Sequence, residues 1–484
     1  MFLTIFAAIT VVAVCVLFLI CRRSDSAAHS VEKAMRILAV IYCGLVFVNI
    51  FFPDGFVISL SEEEALGSGL RLHALLRWFG CVAFVALPLA AFTKKAVFRR
   101  IALFFCLPVA IISVITYADF VVGFLSETGR GISTIRGVSD GVKLFFRNET
   151  FRVAWSGLMW LIAIIIPIGL SLSDGFAALR REEGNSVLRI VSTYFLVLVG
   201  LLILLIPIYV PQYLIGYTTL IFNGFDIVQL VWLILIAVII AGLYLIFRKR
   251  SQEDKYLLCV AMALGLLLQY NSFFGAIGSI TFLRLPFQLC NIGSYLVLAA
   301  LLTRNKALFD FTYIVNVAGA FIAMAVPDVD GEGIGYLWNV HFIVEHTWVL
   351  VTPVLALALG VFPRLKREAL KHFLIGFTAY FGFVLIVGTL LNGVAAATGD
   401  DFFNVNYLFM FDAEPAEELL GVGELFDIGS FSIGSFTLRP VIQSIVFCVL
   451  NAVCLLFFGG VQLYYSIADR VRRKSVTALP LESE

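Results

Sequence analysis

The chain opens with MFLTIFAAITVVAVCVLFLI (Met1–Ile20), twenty residues without a charged side chain, followed at once by Cys21-Arg22-Arg23. Twenty residues of α-helix rise about 30 Å, the thickness of a bilayer's hydrocarbon core. The stretch has no basic segment before it, and Arg22 and Arg23 stand where a signal peptide would carry small residues for cleavage. It therefore reads as a membrane span rather than a leader. The same pattern recurs at about 37–52, 75–92, 101–120, 153–172, 190–210 and 227–247, and then at 256–274, 287–303, 309–326, 341–362, 372–396 and 440–466. The expectation is an all-α, polytopic membrane bundle of about 13 spans.

Composition agrees with that class. Of the 484 residues, 61% are hydrophobic and 14% charged, and the mean hydropathy is +1.00. That is more apolar surface than a water-soluble core can hide. A net charge of +1, with no basic tract interleaved with aromatics, excludes nucleic acid as a partner class. The nine cysteines form no CxxC pair and no His/Cys group at metal-binding spacing, and most lie in apolar runs, where Cys behaves as a small hydrophobe. Neither a metal nor a cofactor is expected. No Walker A or HExxH pattern is present to suggest otherwise.

The basic residues orient the spans, because Lys and Arg in short loops stay cytoplasmic. Alternate loops carry Arg22, Arg23, Lys33 and Arg36; Lys94, Lys95, Arg99 and Arg100; Arg180, Arg181 and Arg189; and Arg248, Lys249, Arg250 and Lys255. The series continues with Arg304 and Lys306, then Arg364, Lys366, Arg367 and Lys371, and finally Arg470, Arg472, Arg473 and Lys474. These seven segments hold 25 of the 34 Lys and Arg residues, which places the N-terminus outside and the C-terminus inside a cell membrane. The opposite loops are acidic, with Glu62-Glu63-Glu64, Asp328, Asp330, Asp400 and Asp401. The expected organisation is a seven-helix region over residues 1–250, a six-helix domain over 251–470 and a cytoplasmic tail over 471–484. Two outer segments stand out. Residues 397–438 have the aromatic, Gly- and Ser-rich composition of a folded loop, and 131–151 has the spacing of an interfacial amphipathic helix or of a solvated loop.

Chemistry concentrates in Arg284-Leu-Pro-Phe-Gln-Leu-Cys-Asn291 and, some fifty residues on, His341-Phe-Ile-Val-Glu-His346. With the helix after Pro286 and the helix near His341 both starting outside, Cys290 and His346 fall roughly 5–10 Å below the outer boundary. Polar groups at such depth are costly facing lipid and turn toward one another or toward water. Arg284, Gln288, Cys290, His341, His346 and Asn406 are therefore expected to line one polar pocket.

These residues, with Thr303-Arg-Asn-Lys306, Gly319 to Asp328 and Asn406-Tyr-Leu408, resemble the YwaF-like integral membrane proteins over about residues 255–466. That family is similar to a eukaryotic transmembrane acyltransferase that remodels ether phospholipids through a cysteine. The resemblance implies that Cys290 is the catalytic cysteine and His346 its histidine, acting on a membrane lipid at the outer leaflet. A thiolate attacks an acyl ester while an imidazole takes and returns the proton. Asn291, Gln288 or Asn406 are candidate donors to the oxyanion, Arg284 suits a headgroup, and His341 and Glu345 complete the substrate-binding candidates. Other readings of the same residues remain open. Cys290 is a packing residue in the first, both histidines serve helix ends, and the chain is a non-catalytic assembly subunit with other membrane proteins as partners. In the second the chain is a lipid flippase or uncoupled transporter, whose path would use Asp119, Asp226, Asn271, Asn316 and Asn392. An ion-coupled carrier is disfavoured because the apolar runs place no carboxylate, Lys or Arg near the bilayer centre.

Overall fold

The structure, a computed structural model, describes residues 2–49, 68–93, 95–120, 149–177, 186–208, 210, 220–276, 285–325, 327, 329, 333–413 and 423–477. Arg284, the acidic run Glu62 to Glu64, Asp328, Asp330, Arg180, Arg181, Lys94, nearly all of the 131–151 segment and the end of the tail lie outside them. The side chains of Asp119 and Asn271 do so as well.

Helices fill the expected apolar runs because apolar backbone inside a bilayer has no other partner for its polar groups. They are α1 (Phe2–Arg23), α2 (Asp25–Asn49), α3 (Ser68–Phe92), α4 (Ala96–Ile101), α5 (Leu107–Phe120), α6 (Glu149–Ser173) and α7 (Val187–Leu204). Further on come α8 (Ile227–Phe247), α9 (Gln252–Ala276), α10 (Leu289–Thr303), α11 (Lys306–Ala325), α12 (Leu337–Ala358), α13 (Glu368–Thr398) and α14 (Pro440–Thr477). A π-helical turn, Ala102–Cys106, joins α4 to α5, so the two form one continuous span with a local bulge. Among the described residues ten helical stretches are long and apolar enough to cross a membrane. The other three expected runs are helical but outside that set: α2 carries Glu32, Lys33 and Arg36, α9 begins with Glu253, Asp254 and Lys255, and α10 has only 15 residues. The chain is a multi-pass membrane protein with an all-helical bundle architecture.

The helices group into two compact units that interleave along the chain. The first comprises Met1–Asn223, Leu264–Ile280 and Val329–Glu345. Within it α6 packs against α1, α2 and α5, and α2 packs against α3. Outward faces stay apolar: Val11, Val12 and Leu19 of α1 are exposed, as lipid-facing residues are. One cluster of charges is buried at the ends of these helices. The Arg99 guanidinium donates to Asp174 Oδ2 at 2.6 Å and to the Leu170 carbonyl at 3.0 Å, and lies 3.7 Å from Glu32. Glu32 in turn accepts from Arg36 at 2.9 Å. A planar fork that holds two helix ends and two carboxylates is work suited to Arg rather than Lys.

The second unit comprises Gly224–Ala263, Thr281–Asp328 and His346–Glu484. Here α10 and α11 form an antiparallel pair closed by a tight turn, with Arg304 in the left-handed region (φ 52°), and α11 also packs against α13 and α14. Close approach fixes the register. A Cβ on Gly319 would stand 3.8 Å from Leu289, and one on Gly293 would collide with the Asn316 amide. At the opposite end Asp310, 2% exposed, pairs with Lys306 and accepts from His372 Nδ1 at 2.9 Å, which ties α11 to α13. Phe309 stacks on Phe362 at 3.9 Å.

Arg99→Met is expected to destabilise the first unit by about 1–3 kcal/mol, because the buried guanidinium's bonds to Asp174 and the Leu170 carbonyl are lost while Arg36 stays on Glu32, and Arg99→Lys by less. Thermal unfolding of the purified variants checks this; equal melting temperatures for Arg99→Met and the parent would refute it.

Candidate functional site

The site is built on the N-terminal start of α10. Pro286 lacks a backbone N–H and disfavours helix at the residue before it, so Leu285 to Gln288 run as irregular chain and the helix begins at Leu289. Because Leu289 sits against Gly319, α11 continues beyond the start of α10 to Ala325, about 9 Å further. The first turn of α10 is thus recessed, and Cys290 with it.

Protein fills the space above the recess. Gln288 uses both ends of its amide on the segment that follows α13: Nε2 donates to the Asn406 carbonyl at 3.1 Å, and Oε1 accepts from Leu408 N at 2.9 Å. Asn406 Oδ1 accepts from the backbone N–H groups of Phe411 and Asp412 at 3.0 and 3.1 Å. Asn392 of α13 binds Val405 through both its carbonyl and its N–H, each at 2.9 Å, and Arg439 donates to the Phe411 carbonyl at 2.7 Å. The segment contains two short 3₁₀ turns, Asp401–Phe403 and Tyr407–Phe409, and the hairpin β1 (Phe431–Ile433) and β2 (Phe436–Leu438) follows. Leu408 and Phe409 hold φ of 55° and 56°, a region costly for side chains with a Cβ. Such strain persists only where the surrounding bonds enforce it. The rings of Phe411 and Phe436 occupy the places where Gly388 and Gly393 of α13 lack side chains. The loop is folded, as its composition led us to expect.

Around Cys290 the geometry is polar on one side and aromatic on the other. The half-buried thiol donates to Asn291 Oδ1 at 3.1 Å, and the Ser294 hydroxyl donates to the Asn291 carbonyl at 2.7 Å. Phe287 packs edge-to-face with Tyr407 and Phe383 at 5.2 and 5.3 Å, and its carbonyl accepts from the Tyr380 hydroxyl at 2.6 Å. Among the described residues the Nδ2 groups of Asn291 and Asn406 donate to nothing, whereas the Gln288 amide is committed to the loop. Of the three carboxamides expected as oxyanion donors, two have the N–H to give. The unbonded N–H groups of a helix's first turn add a field that favours negative charge there.

The histidine segment lies deeper in its helix than its apolar run implies. Helix α12 begins at Leu337, four positions before His341, so Glu345 stands about 12 Å and His346 about 14 Å from its start. His341 Nε2 lies 3.1 Å from Glu345 Oε2, as positions four apart on a helix allow, and the rings of Trp338 and Tyr270 flank His341 at 5.9 and 6.1 Å. The other carboxyl oxygen of Glu345 is buried and has no hydrogen-bond partner among the described residues. Glu345 is the deep carboxylate that the apolar runs alone did not reveal. His346 is 5% exposed; its neighbour Thr347 accepts from Trp232 Nε1 at 2.8 Å, which joins α8 to α12 in the second unit. Of the residues singled out in the sequence, Gln288 is bonded to Asn406, Cys290 to Asn291, and His341 lies against Glu345. Tyr380 and Arg439 were not foreseen, since their roles arise from contacts across the fold rather than from a motif. Asp226 caps α8 by accepting from Gln229 N at 2.9 Å, and Asn392 braces the loop.

Residues 221–438 match the TMEM164 family, a family of transmembrane proteins. The match begins before and ends short of the region of the expected resemblance. No curated protein and no solved structure matches the chain.

Gln288→Leu removes both anchors of the loop while keeping the side chain's bulk. Amide hydrogen exchange at Leu408, Phe411 and Asp412 is expected to quicken about tenfold, the equivalent of one lost hydrogen bond, with α13 unaffected. Unchanged exchange would mean that the clasp does not hold the loop.

Proposed function

We propose that the chain is a lipid acyltransferase of the outer leaflet of the cell membrane, with Cys290 as nucleophile and His346 as base, in a thirteen-span topology with the N-terminus outside. The observation that carries the reading is the recessed thiol of Cys290, half-buried on the first turn of α10 and bonded to the Asn291 carboxamide, whose Nδ2 has no hydrogen-bond partner among the described residues. Two further supports are the resemblance to membrane cysteine acyltransferases and the segregation of basic residues by loop.

In this reading Cys290 attacks the ester carbonyl of a donor phospholipid as the thiolate, its proton passing to His346. The oxyanion is met by the Nδ2 groups of Asn291 and Asn406. Collapse breaks the ester C–O bond, His346 returns the proton to the departing alkoxide, and an acyl thioester remains on Cys290. A second lipid alcohol gives its proton to His346 as its oxygen bonds to the thioester carbon; the C–S bond breaks and the thiol is restored. Arg284 supplies the candidate group for the substrate's headgroup. The recess suits this chemistry, because ester carbonyls lie below the headgroups and not at the water surface.

Cys290→Ser replaces sulfur with a much poorer nucleophile of similar shape, and His346→Gln keeps a hydrogen bond while losing the base. Turnover is expected to fall by about 10²–10⁴ in each, with the melting temperature held. An acyl adduct on Cys290, labile to hydroxylamine and found by mass spectrometry, is the positive sign. If Cys290→Ala leaves the membrane's acyl profile unchanged in properly inserted protein, the acyl-transfer reading is lost. The topology has its own check. A cysteine introduced near Glu63, in a background without reactive native thiols, should be labelled by an impermeant reagent from outside; labelling only from the cytoplasm overturns the orientation.

A further inference from the structure

Below Cys290, the seam between α10 and α11 holds polar atoms that none of the described residues satisfies. Asn316 is 1% exposed, and both its Oδ1 and its Nδ2 are buried without a hydrogen-bond partner among the described residues. Thr312, one turn along the same face of α11, is also 1% exposed, and its hydroxyl is likewise unpartnered. Asn316 stands midway along its helix, about 15 Å from either end, where hydrocarbon offers nothing to bond with. The amide is set there by design of the facing helix. It lies against Gly293, where even a methyl group would collide with it, and glycine in a helix interior is otherwise unfavourable.

The register places this pair relative to the thiol. Leu289 faces Gly319 and Gly293 faces Asn316, so Cys290 lies one helical turn toward the outside from the amide and Thr312 one turn toward the inside of it. The aliphatic neighbours that face the seam, such as Val297 and Val315, are buried. No charged group joins Asn316 and Thr312, so a charged ligand has no counter-ion there. A carboxamide and a hydroxyl together present donors and acceptors side by side, and the group that complements both is an uncharged hydroxyl, which accepts from Nδ2 and donates to Oδ1 or Oγ1.

We propose that Asn316 and Thr312 form a binding subsite for the free hydroxyl of a lipid alcohol, the acceptor in the reaction assigned above to Cys290. The proposal rests on that reading for its chemistry, while its geometry stands by itself. Asn316 is a positioning residue in it. The subsite also accounts for a polar pair maintained where an apolar one would pack without cost.

The test compares 1-palmitoyl-lysophosphatidylcholine, which carries a free glycerol hydroxyl, with its analogue in which that hydroxyl is replaced by hydrogen. Binding to full-length Cys290→Ser protein in micelles is measured, so that the result does not depend on thioester formation. The hydroxyl-bearing lipid is expected to bind about tenfold more tightly, one hydrogen bond's worth, and Asn316→Leu is expected to abolish the difference while raising thermal stability without lipid. Thr312→Val, the smaller change, should reduce the same preference and serves if Asn316→Leu fails to fold. Equal binding of the two lipids, or a preference that survives both substitutions, overturns the proposal and leaves the pair holding water. Loss of the acyl adduct question altogether, with the preference intact, would remove the transferase and keep the subsite.

Discussion

A helix of fifteen residues spans about 22 Å, some 8 Å less than the hydrocarbon it lies in. For α10 the shortfall falls at its N-terminal end, where Leu285 to Gln288 run as irregular chain. Backbone of that kind is tolerated in a bilayer only when other protein covers it. The Gln288 amide, the Tyr380 hydroxyl on the Phe287 carbonyl and the loop after α13 are that cover. The recess that holds Cys290 is therefore a by-product of satisfying four residues of backbone. A helix of full length here would put the same cysteine at the headgroups, facing water.

Each unit also uses buried charge at its helix ends in one way. Arg99 gathers Asp174, Glu32 and two carbonyls, and Asp310 gathers Lys306 and His372. Both lie at loops rich in Lys and Arg, so the residues that orient the chain in the membrane are in part the residues that fasten its helices together. Neither cluster needs a catalytic explanation. His341 and Glu345 differ, since they sit well inside a span and keep a carboxyl oxygen with no hydrogen-bond partner among the described residues.

The helices were legible in the sequence because the period of a span is set by bilayer thickness, a constraint local to each run. Boundaries were less so. Helix α12 starts at Leu337 through polar and aromatic residues such as Asn339 that hydropathy does not count, and this moved Glu345 and His346 deeper than their run suggested. For the site, Cys290, Asn291 and Asn406 could be singled out as polar groups near the start of a span or in the loop, but the role of Gln288 could not. Its amide is committed by partners more than a hundred residues away, and nothing in the spacing of Gln288 marks that contact. Asn316 was visible as a lone polar residue at mid-span. Its meaning depends on Gly293 lying opposite, which is a fact of register between helices and not of sequence.

The two aromatic side chains that the loop lends to α13 enter at Gly388 and Gly393, positions five apart and so about 140° around the helix axis. They grip it from two directions, like finger and thumb. A cover hinged on one side can lift by a single swing, but this one can leave only if both rings withdraw or the helix turns beneath them.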